Sequence, residues 1–315
     1  MGLRRLGTFS MISVCLGLSA GSMSAAGVCV PHAGEAVDLI TDTATAFCVG
    51  ASGYSKEWYN TPGITTTPFS LLGDSAQFLT YHIQGGGYVS QWLSPEVAGI
   101  ATSTGFSTFA GLSVLNNVAT SSIRDAQVQV AISSTTINNN IKQTFTVTNI
   151  GAGVIDMLEL ITYLQYFPYG QANPTKGTLN YEPVPTIENT YVDGLWGHGS
   201  VGQLGFVREG GVCGGVGFVC TTPDHYKVDT PANVRAVMAA MILSPGTLTL
   251  GDGQTSLDMN PNQAAGALSW RINNLNLALG SGSATFTVEL VPEPGTAALF
   301  LIATACFVIR RRFIA

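Results

Sequence analysis

One short segment carries several side chains that could do chemistry together: Tyr191, Asp193, Trp196, His198 and Ser200. A hydrolase would use His198 as base and Ser200 as nucleophile. No G-x-S-x-G elbow accompanies them. A binding loop would instead stack Tyr191 and Trp196 on a sugar ring, with Asp193 and His198 beside them. The segment Tyr191–Gly202 therefore reads as a surface loop with an aromatic anchor, and it is the first choice among loops for a ligand. Gly197-His198-Gly199-Ser200-Val201-Gly202 also fits G-x-G-x-x-G. The dinucleotide fingerprint needs a helix after it, whereas Gln203–Val207 is strand-like, so the glycines read as a turn. A glycosidase would need two facing carboxylates. Asp156, Glu159, Glu182, Glu188 and Asp193 are available, but spacing alone brings no pair together.

Asp252 and Asp258 bracket a segment with some calcium-loop character, since calcium takes six to eight oxygen ligands. Gln254 and Ser256 stand where an EF-hand would be acidic, so a plain turn is the preferred reading and no metal site is assigned. His32, His82 and His225 are scattered. The cysteines at 29, 48, 213 and 220 lack the C-x-x-C spacing of a zinc site. Their even number favours disulfides. Of the three possible pairings, Cys29–Cys48 and Cys213–Cys220 close the shortest loops and are preferred.

The elements that must position these groups are mostly strands. Short runs rich in Val, Ile, Thr, Tyr and Phe are bounded by Gly, Asn or Pro. In Ala126–Ile132 apolar residues alternate with Gln127 and Gln129, so one face is buried and one wet. Asn138-Asn139-Asn140 supplies a turn, and Phe145 and Val147 alternate with threonines on the return strand. Val154–Phe167 follows as a long strand or bent pair. Further strands are expected at Ala76–Ile83, Gly87–Leu93, Gly111–Leu115, Val201–Arg208, Gly217–Cys220, Val234–Ile242 and Ala284–Leu290. Asp38–Phe47 and Ala232–Leu243 are ambiguous between strand and helix, the latter because Ala and Met favour helix. The expected fold is all-β, a large antiparallel β-sandwich over residues 27–290. The Pro-rich stretch Tyr169–Pro185 is the best candidate for a break into two domains. By analogy of outline, the long strands at 126–167 resemble those of a galactose-mutarotase-like supersandwich.

Both chain ends read as addresses. In Met1–Ala26, Arg4 and Arg5 precede a short apolar core, and small residues before Ala26 and Gly27 suit signal-peptide cleavage between them. At the other end, the uncharged run Thr296–Ile309 would cover roughly 21 Å as a helix, short of a bilayer core of about 30 Å. Arg310, Arg311 and Arg312 would stay cytoplasmic. Pro292 and Pro294 make the preceding peptide stiff and extended. Without the five end arginines and Glu293, thirteen basic and nineteen acidic residues reduce to a net charge of −10. That excludes nucleic acid as a partner, which needs a basic face. Charged residues are only 10% of the chain, so Gly, Ser, Thr and Asn must fill the wet positions.

The order Val291-Pro292-Glu293-Pro294-Gly295, apolar run, Arg310–Arg312 resembles the PEP-CTERM sorting signal of exosortase substrates in exopolysaccharide-producing Gram-negative bacteria. The resemblance covers residues 291–315 and matches the Pro-Glu-Pro motif residue for residue. It implies a C-terminal membrane helix, an exosortase partner, transit through the inner membrane, and delivery to the cell surface or extracellular matrix. On that reading the protein is a non-catalytic component of a biofilm or exopolysaccharide layer, without cofactor. The alternative is a secreted carbohydrate-active enzyme or sugar-binding module on a β-sandwich, for which the acidic residues above are the candidates.

Overall fold

The computed structural model describes residues 29, 35–42, 45–53, 55, 58–60, 72–94, 96–97, 100–101, 104–138, 140–166, 175–179, 195–199, 206–215, 218–220, 223–251, 256–258 and 265–293. In chain order the described elements begin β1 (Val37–Thr41), β2 (Thr45–Gly50), β3 (Trp58–Asn60), β4 (Leu72–Ile83) and β5 (Tyr88–Trp92). Next come β6 (Glu96–Val97), β7 (Ile100–Ala101), β8 (Ser107–Leu115), β9 (Val118–Arg124), β10 (Val128–Ile137), β11 (Asn140–Asn149) and β12 (Ile155–Tyr166). The second half holds β13 (Thr175–Leu179), β14 (Leu195–Gly199), β15 (Phe206–Gly215), β16 (Phe218–Cys220), β17 (His225–Asp229), α1 (Pro231–Leu243), β18 (Ser256–Asp258), β19 (Ala265–Leu277) and β20 (Ser283–Glu293).

The hairpins follow from local chemistry. Asn116 and Asn117 both take positive φ between β8 and β9, as a two-residue hairpin turn with the right twist requires. Asn138 does the same between β10 and β11. The alternation read at 126–132 continues through the whole β10–β11 pair, with Val128, Val130, Ile132, Ile141, Phe145 and Val147 buried.

These strands lie in a ten-stranded sheet of order β18-β13-β14-β15-β20-β11-β10-β9-β8, with β16 on β15. A five-stranded sheet, β17-β19-β12-β4-β5, faces it. Leu158, Leu160, Leu268, Trp270, Ile272 and Leu79 of the small sheet share one core with Phe145, Phe286 and Val288 of the large one. The sandwich expected from the alternating runs is thus formed. Asp125 ties the two layers at one end. Its Oδ2 accepts from Tyr81 Oη at 2.9 Å and Gln91 Nε2 at 2.6 Å, while Oδ1 accepts the backbone N–H groups of Gln127 and Val128.

The ambiguous run at 232–243 is helix α1, which corrects the strand expected at Val234–Ile242. Thr230 caps it by accepting the Asn233 N–H, and Pro231 opens the first turn. Val234, Met238 and Met241 recur at helical spacing and pack on the outer face of the five-stranded sheet, against Phe78, Trp92, Ile161 and Tyr163. Just before the helix, burial alone would raise the Asp229 carboxyl. Hydrogen bonds from Asn233, the Thr230 N–H and Lys227 outweigh it and hold that group below its ordinary value.

The other ambiguous run, 38–47, is the β1–β2 hairpin. Ile40, Phe47 and Val49 plug it into the main core, and Cys48 is bonded to Cys29 with Cα atoms 5.5 Å apart. Cys213 is disulfide-bonded and lies opposite Cys220 in the β15–β16 pair. Glu35 anchors the entry of this hairpin. One of its carboxylate oxygens, Oε1, accepts the Ser52 N–H, and Oε2 is buried without a hydrogen-bond partner. Burial raises its carboxyl above the ordinary range, and hydrogen bonds from Ser52 and Ser94 only partly offset this. A raised carboxyl favours the protonated folded state. Its stabilising effect is complete below the unfolded value and is lost as pH rises through the folded one. Urea melts across pH 4–8 should therefore show stability falling over the low-pH part of that range in the wild type, with a flatter profile in Glu35→Gln. Superimposable profiles would remove Glu35 from the account.

The C-terminal expectations are corrected here. β20 does not stop at Leu290. Val291, Pro292 and Glu293 pair with Arg208, Val207 and Phe206 of β15, so the first three residues of the presumed stiff linker are sheet. Pro292 lies beyond the last β11 partner, Ile141 opposite Leu290, where the strand has only one neighbour and a missing N–H is tolerated. Pro294, Gly295, Arg310–Arg312, and the expected cleavage site at Ala26 and Gly27, lie outside the described residues. Among the described residues no helix is long and apolar enough to cross a membrane. Among the described residues the fold class is corrected to a sandwich with one packed helix, and the expected signal peptide and membrane helix find no support there.

Candidate functional site

The outer face of the five-stranded sheet is divided by its own sequence. Alternation places residues 74, 76, 78, 80 and 82 of β4 on this face, together with 157–165 of β12 at odd positions and 265–273 of β19 at odd positions. Toward one end these are Ala76, Phe78, Ile161, Tyr163, Ala265 and Ala267, and α1 covers them. Beyond the helix the same face turns polar. One cross-strand row runs Ser90, Thr80, Glu159, Arg271, and the next runs Tyr88, His82, Met157, Asn273.

His82 and Asp156 meet because β12 is irregular at this point. Ile155 pairs with Ile83 and Met157 with His82, so Asp156 is an extra residue between them. Such a bulge re-aims a side chain. Asp156 Oδ1 lies 2.6 Å from His82 Nδ1, with side chains 31% and 22% exposed. With Nδ1–H donating to the carboxylate, Nε2 is left as an acceptor, the arrangement of an oriented general base.

Glu159, one row away, is 1% exposed and fully engaged. Its Oε1 accepts from Ser269 Oγ at 2.5 Å and its Oε2 from Arg271 Nη2 at 2.7 Å. Arg271 is 21% exposed, and its Nε is buried without a partner. Asp224, in the segment leading to β17, accepts the Arg271 N–H through Oδ2 at 2.5 Å and donates its own N–H to the Ser269 carbonyl at 2.7 Å. Thr80 Oγ1 and Ser90 Oγ, 2.7 Å apart, complete the polar floor. His82 and Glu159 are diagonal neighbours on adjacent strands, which puts their Cβ atoms roughly 7 Å apart. The patch therefore holds a part-exposed imidazole oriented by a carboxylate and, two strands away in the neighbouring row, a part-exposed guanidinium.

Two of the five carboxylates considered for a glycosidase, Asp156 and Glu159, do come to one face. Glu182, Glu188 and Asp193 lie outside the described residues, as does Tyr191. Trp196 and His198 are strand residues of β14, opposite Thr178 and Lys176, so this part of the expected loop is sheet. Asp258 pairs with Lys176 in β18, and Asp252 is outside the described residues. Among the described residues no group of three or more His, Cys, Asp and Glu could hold a metal ion. His82 and Arg271 escaped the sequence reading because their partners are 74 and 112 residues away. The Asp156 bulge has no local signal.

No protein-family model matches the chain, and no curated protein matches it in sequence. Among solved structures, it is similar to a protein of Escherichia coli assigned as an aldose 1-epimerase, at 11% identity and a TM-score of 0.42, covering 82% of this chain and 99% of that one. It is also similar to a galactose mutarotase related enzyme from Lactobacillus acidophilus, at 7% identity and a TM-score of 0.46, covering 82% and 98%. At such identities and scores the likeness carries no argument about chemistry.

These findings correct the account of a non-catalytic, exosortase-sorted surface protein. The family resemblance has no matching family model, and the first three residues of its motif belong to the sandwich. Nothing among the described residues supports the exosortase or the inner membrane as partners, or a membrane-anchored stage: no described helix is long and apolar enough to cross a bilayer. The non-catalytic reading rested on the lack of a catalytic constellation, and the His82–Asp156 hydrogen bond is a candidate for one.

Proposed function

We propose that the protein is a carbohydrate-active enzyme whose site is the polar outer face of the five-stranded sheet, with His82 as its proton-transfer group. The observation that carries this is the part-exposed His82–Asp156 hydrogen bond, with Thr80 and Ser90 in the neighbouring row. Glycoside hydrolysis fits poorly. It needs one carboxylic acid free to protonate a leaving group, and both oxygens of Glu159 are taken while Asp156 holds His82. One oriented imidazole does suffice for interconverting the anomers of a reducing sugar. His82 Nε2 takes the anomeric hydroxyl proton, the C1–O1 carbonyl forms as the bond from C1 to the ring oxygen breaks, and a water molecule gives that oxygen its proton, the resulting hydroxide being neutralised by the imidazolium. Ring closure on the opposite face reverses these steps and gives the other anomer, with no net oxidation and no cofactor. The Ser90 hydroxyl and, from the neighbouring row, Arg271 would hold the sugar.

Polarimetry of freshly dissolved α-D-glucopyranose and α-D-galactopyranose tests the reading. The approach to equilibrium should accelerate in proportion to protein concentration for at least one sugar. Rates equal to buffer for both, at protein concentrations up to 0.1 mM or so, would exclude anomer interconversion as the reaction.

A further inference from the structure

The His82–Asp156 pair depends on one extra residue in β12, and nothing local fixes where that residue falls. Asp156 is extra relative to β4, because Ile155 pairs with Ile83 and Met157 with His82. β19 is irregular at the same level. Ile155 pairs with Leu277 and Met157 with Asn273, and Asn274 between them takes a φ of 57°. A bulge that settled one residue earlier or later would re-aim Asp156 and part its Oδ1 from His82 Nδ1. The anchor comes from the other sheet. Asn149, the last residue of β11, is 1% exposed. A side-chain amide can donate two hydrogen bonds and accept two, and Asn149 makes all four. Its Nδ2 donates to the Gly153 carbonyl at 2.6 Å and to the Leu277 carbonyl at 2.8 Å. Its Oδ1 accepts from Gln127 Nε2 at 2.7 Å and from the Gly151 N–H at 3.0 Å. Gln127 Nε2 also donates to the Gly153 carbonyl at 2.8 Å, and the Gln127 carbonyl accepts the N–H groups of Ile150 and Gly151. Gly153 in turn sits against β4, since a Cβ there would come within 2.5 Å of Ile83 Cγ2. The next carbonyl, that of Val154, accepts the Gln84 N–H at 2.8 Å.

These bonds converge on Gly153, just ahead of Ile155, and on Leu277, the β19 partner of Ile155. Asn149 therefore grips both strands where the bulge begins. We propose that Asn149 is a positioning residue for the His82–Asp156 pair, setting the phase of β12 so that Asp156 meets His82. Asn149 touches no reacting atom. It acts through the β11–β12 turn, with Gln127 as its brace. A buried polar network with every member satisfied rigidifies its surroundings and specifies one arrangement. The Asp156 carboxylate inherits that precision, and through it the imidazole. The consequence for turnover rests on His82 being the proton-transfer group, as proposed above, whereas the positional claim is readable without turnover.

The test pairs turnover with the His82 Nδ1–H proton signal of the full chain, assigned by its absence in His82→Asn. Asn149→Ala should lower kcat for α-D-glucopyranose or α-D-galactopyranose by roughly tenfold to a hundredfold, the scale set by a small misplacement, with KM nearly unchanged. It should also broaden or remove the Nδ1–H signal. Gln127→Met keeps the aliphatic volume and removes only the brace. It should move both readouts in the same direction by less, and it carries the test if Asn149→Ala does not fold. Changes that act through one group are not additive. The double variant Asn149→Ala with Asp156→Asn should therefore turn over no more slowly than Asp156→Asn alone. Losses that multiply in the double variant overturn the proposal. So does a lower melting temperature with kcat per folded molecule and the Nδ1–H signal both as in the wild type, which would make Asn149 a structural residue only. A wild type without turnover defeats the catalytic reading, and the Nδ1–H signal alone then decides the positional one.

Discussion

His82→Asn should reduce anomer interconversion by about 10²- to 10⁴-fold, the usual contribution of a positioned general base. Asparagine keeps a polar planar side chain of similar reach but cannot take a proton. His82 is near the end of β4 and 22% exposed, outside the main core, so the variant should melt like the wild type. Asp156→Asn gives the companion result. It removes the acceptor that fixes Nδ1–H, lets the other tautomer compete, and should lower kcat without comparable change in KM. The pair distinguishes a catalytic imidazole from a structural one. If His82→Asn instead lowers the melting temperature while turnover per folded molecule is retained, the imidazole is a sheet component and the proposed chemistry fails.

Arg271→Met should be the most destabilising single change in the site. Methionine keeps much of the aliphatic volume but leaves the Glu159 carboxylate, 1% exposed, without its cation. Breaking one partner out of a buried pair typically costs about 3–5 kcal/mol. The lower end, about 3 kcal/mol, is expected because Ser269 still donates to Oε1 and the arginine head reaches solvent. Urea denaturation reads this directly. Adding Glu159→Gln to Arg271→Met removes the orphaned charge and should restore a large part of the loss, since a neutral amide costs less to bury. A single variant as stable as wild type, or a double variant no better than the single, would show that the pair is not what braces this face.

The parts of the fold visible in the sequence were those with local chemistry. Val128, Val130 and Ile132 against Gln127 and Gln129 marked a one-sided strand, and the asparagines at 138–140 marked its turn. Phe286 and Val288 marked β20 in the same way. Where two layers cover one strand, the alternation disappears. β12 has an apolar inner face and, under α1, an apolar outer face, so Ile161 and Tyr163 hid its period. The same covering resolved the 232–243 run. Val234, Met238 and Met241 had a floor of Phe78 and Trp92 to pack on, and that floor lies more than 100 residues away in the chain. The site was less visible still. Asp156 and Glu159 were recognisable only as two carboxylates among several, because the strand pairs that bring His82 and Arg271 to them are set by register. The tail misled for a physical reason as well. Val291-Pro292-Glu293 reads locally as a stiff, extended linker, yet Pro292 is accommodated on a strand that has one neighbour there among the described residues.

The most direct test of the central claim is the imidazole nitrogen NMR spectrum of the protein during titration with lactose and, separately, glucose. The account predicts saturable shifts of the His82 Nε2 resonance, assigned by its absence in His82→Asn. The Nδ1–H signal should stay bonded to Asp156, and the His198 signals of β14 should not move. Saturable shifts at His198 with His82 silent, or no shift at any histidine at sugar concentrations that accelerate nothing, would contradict it.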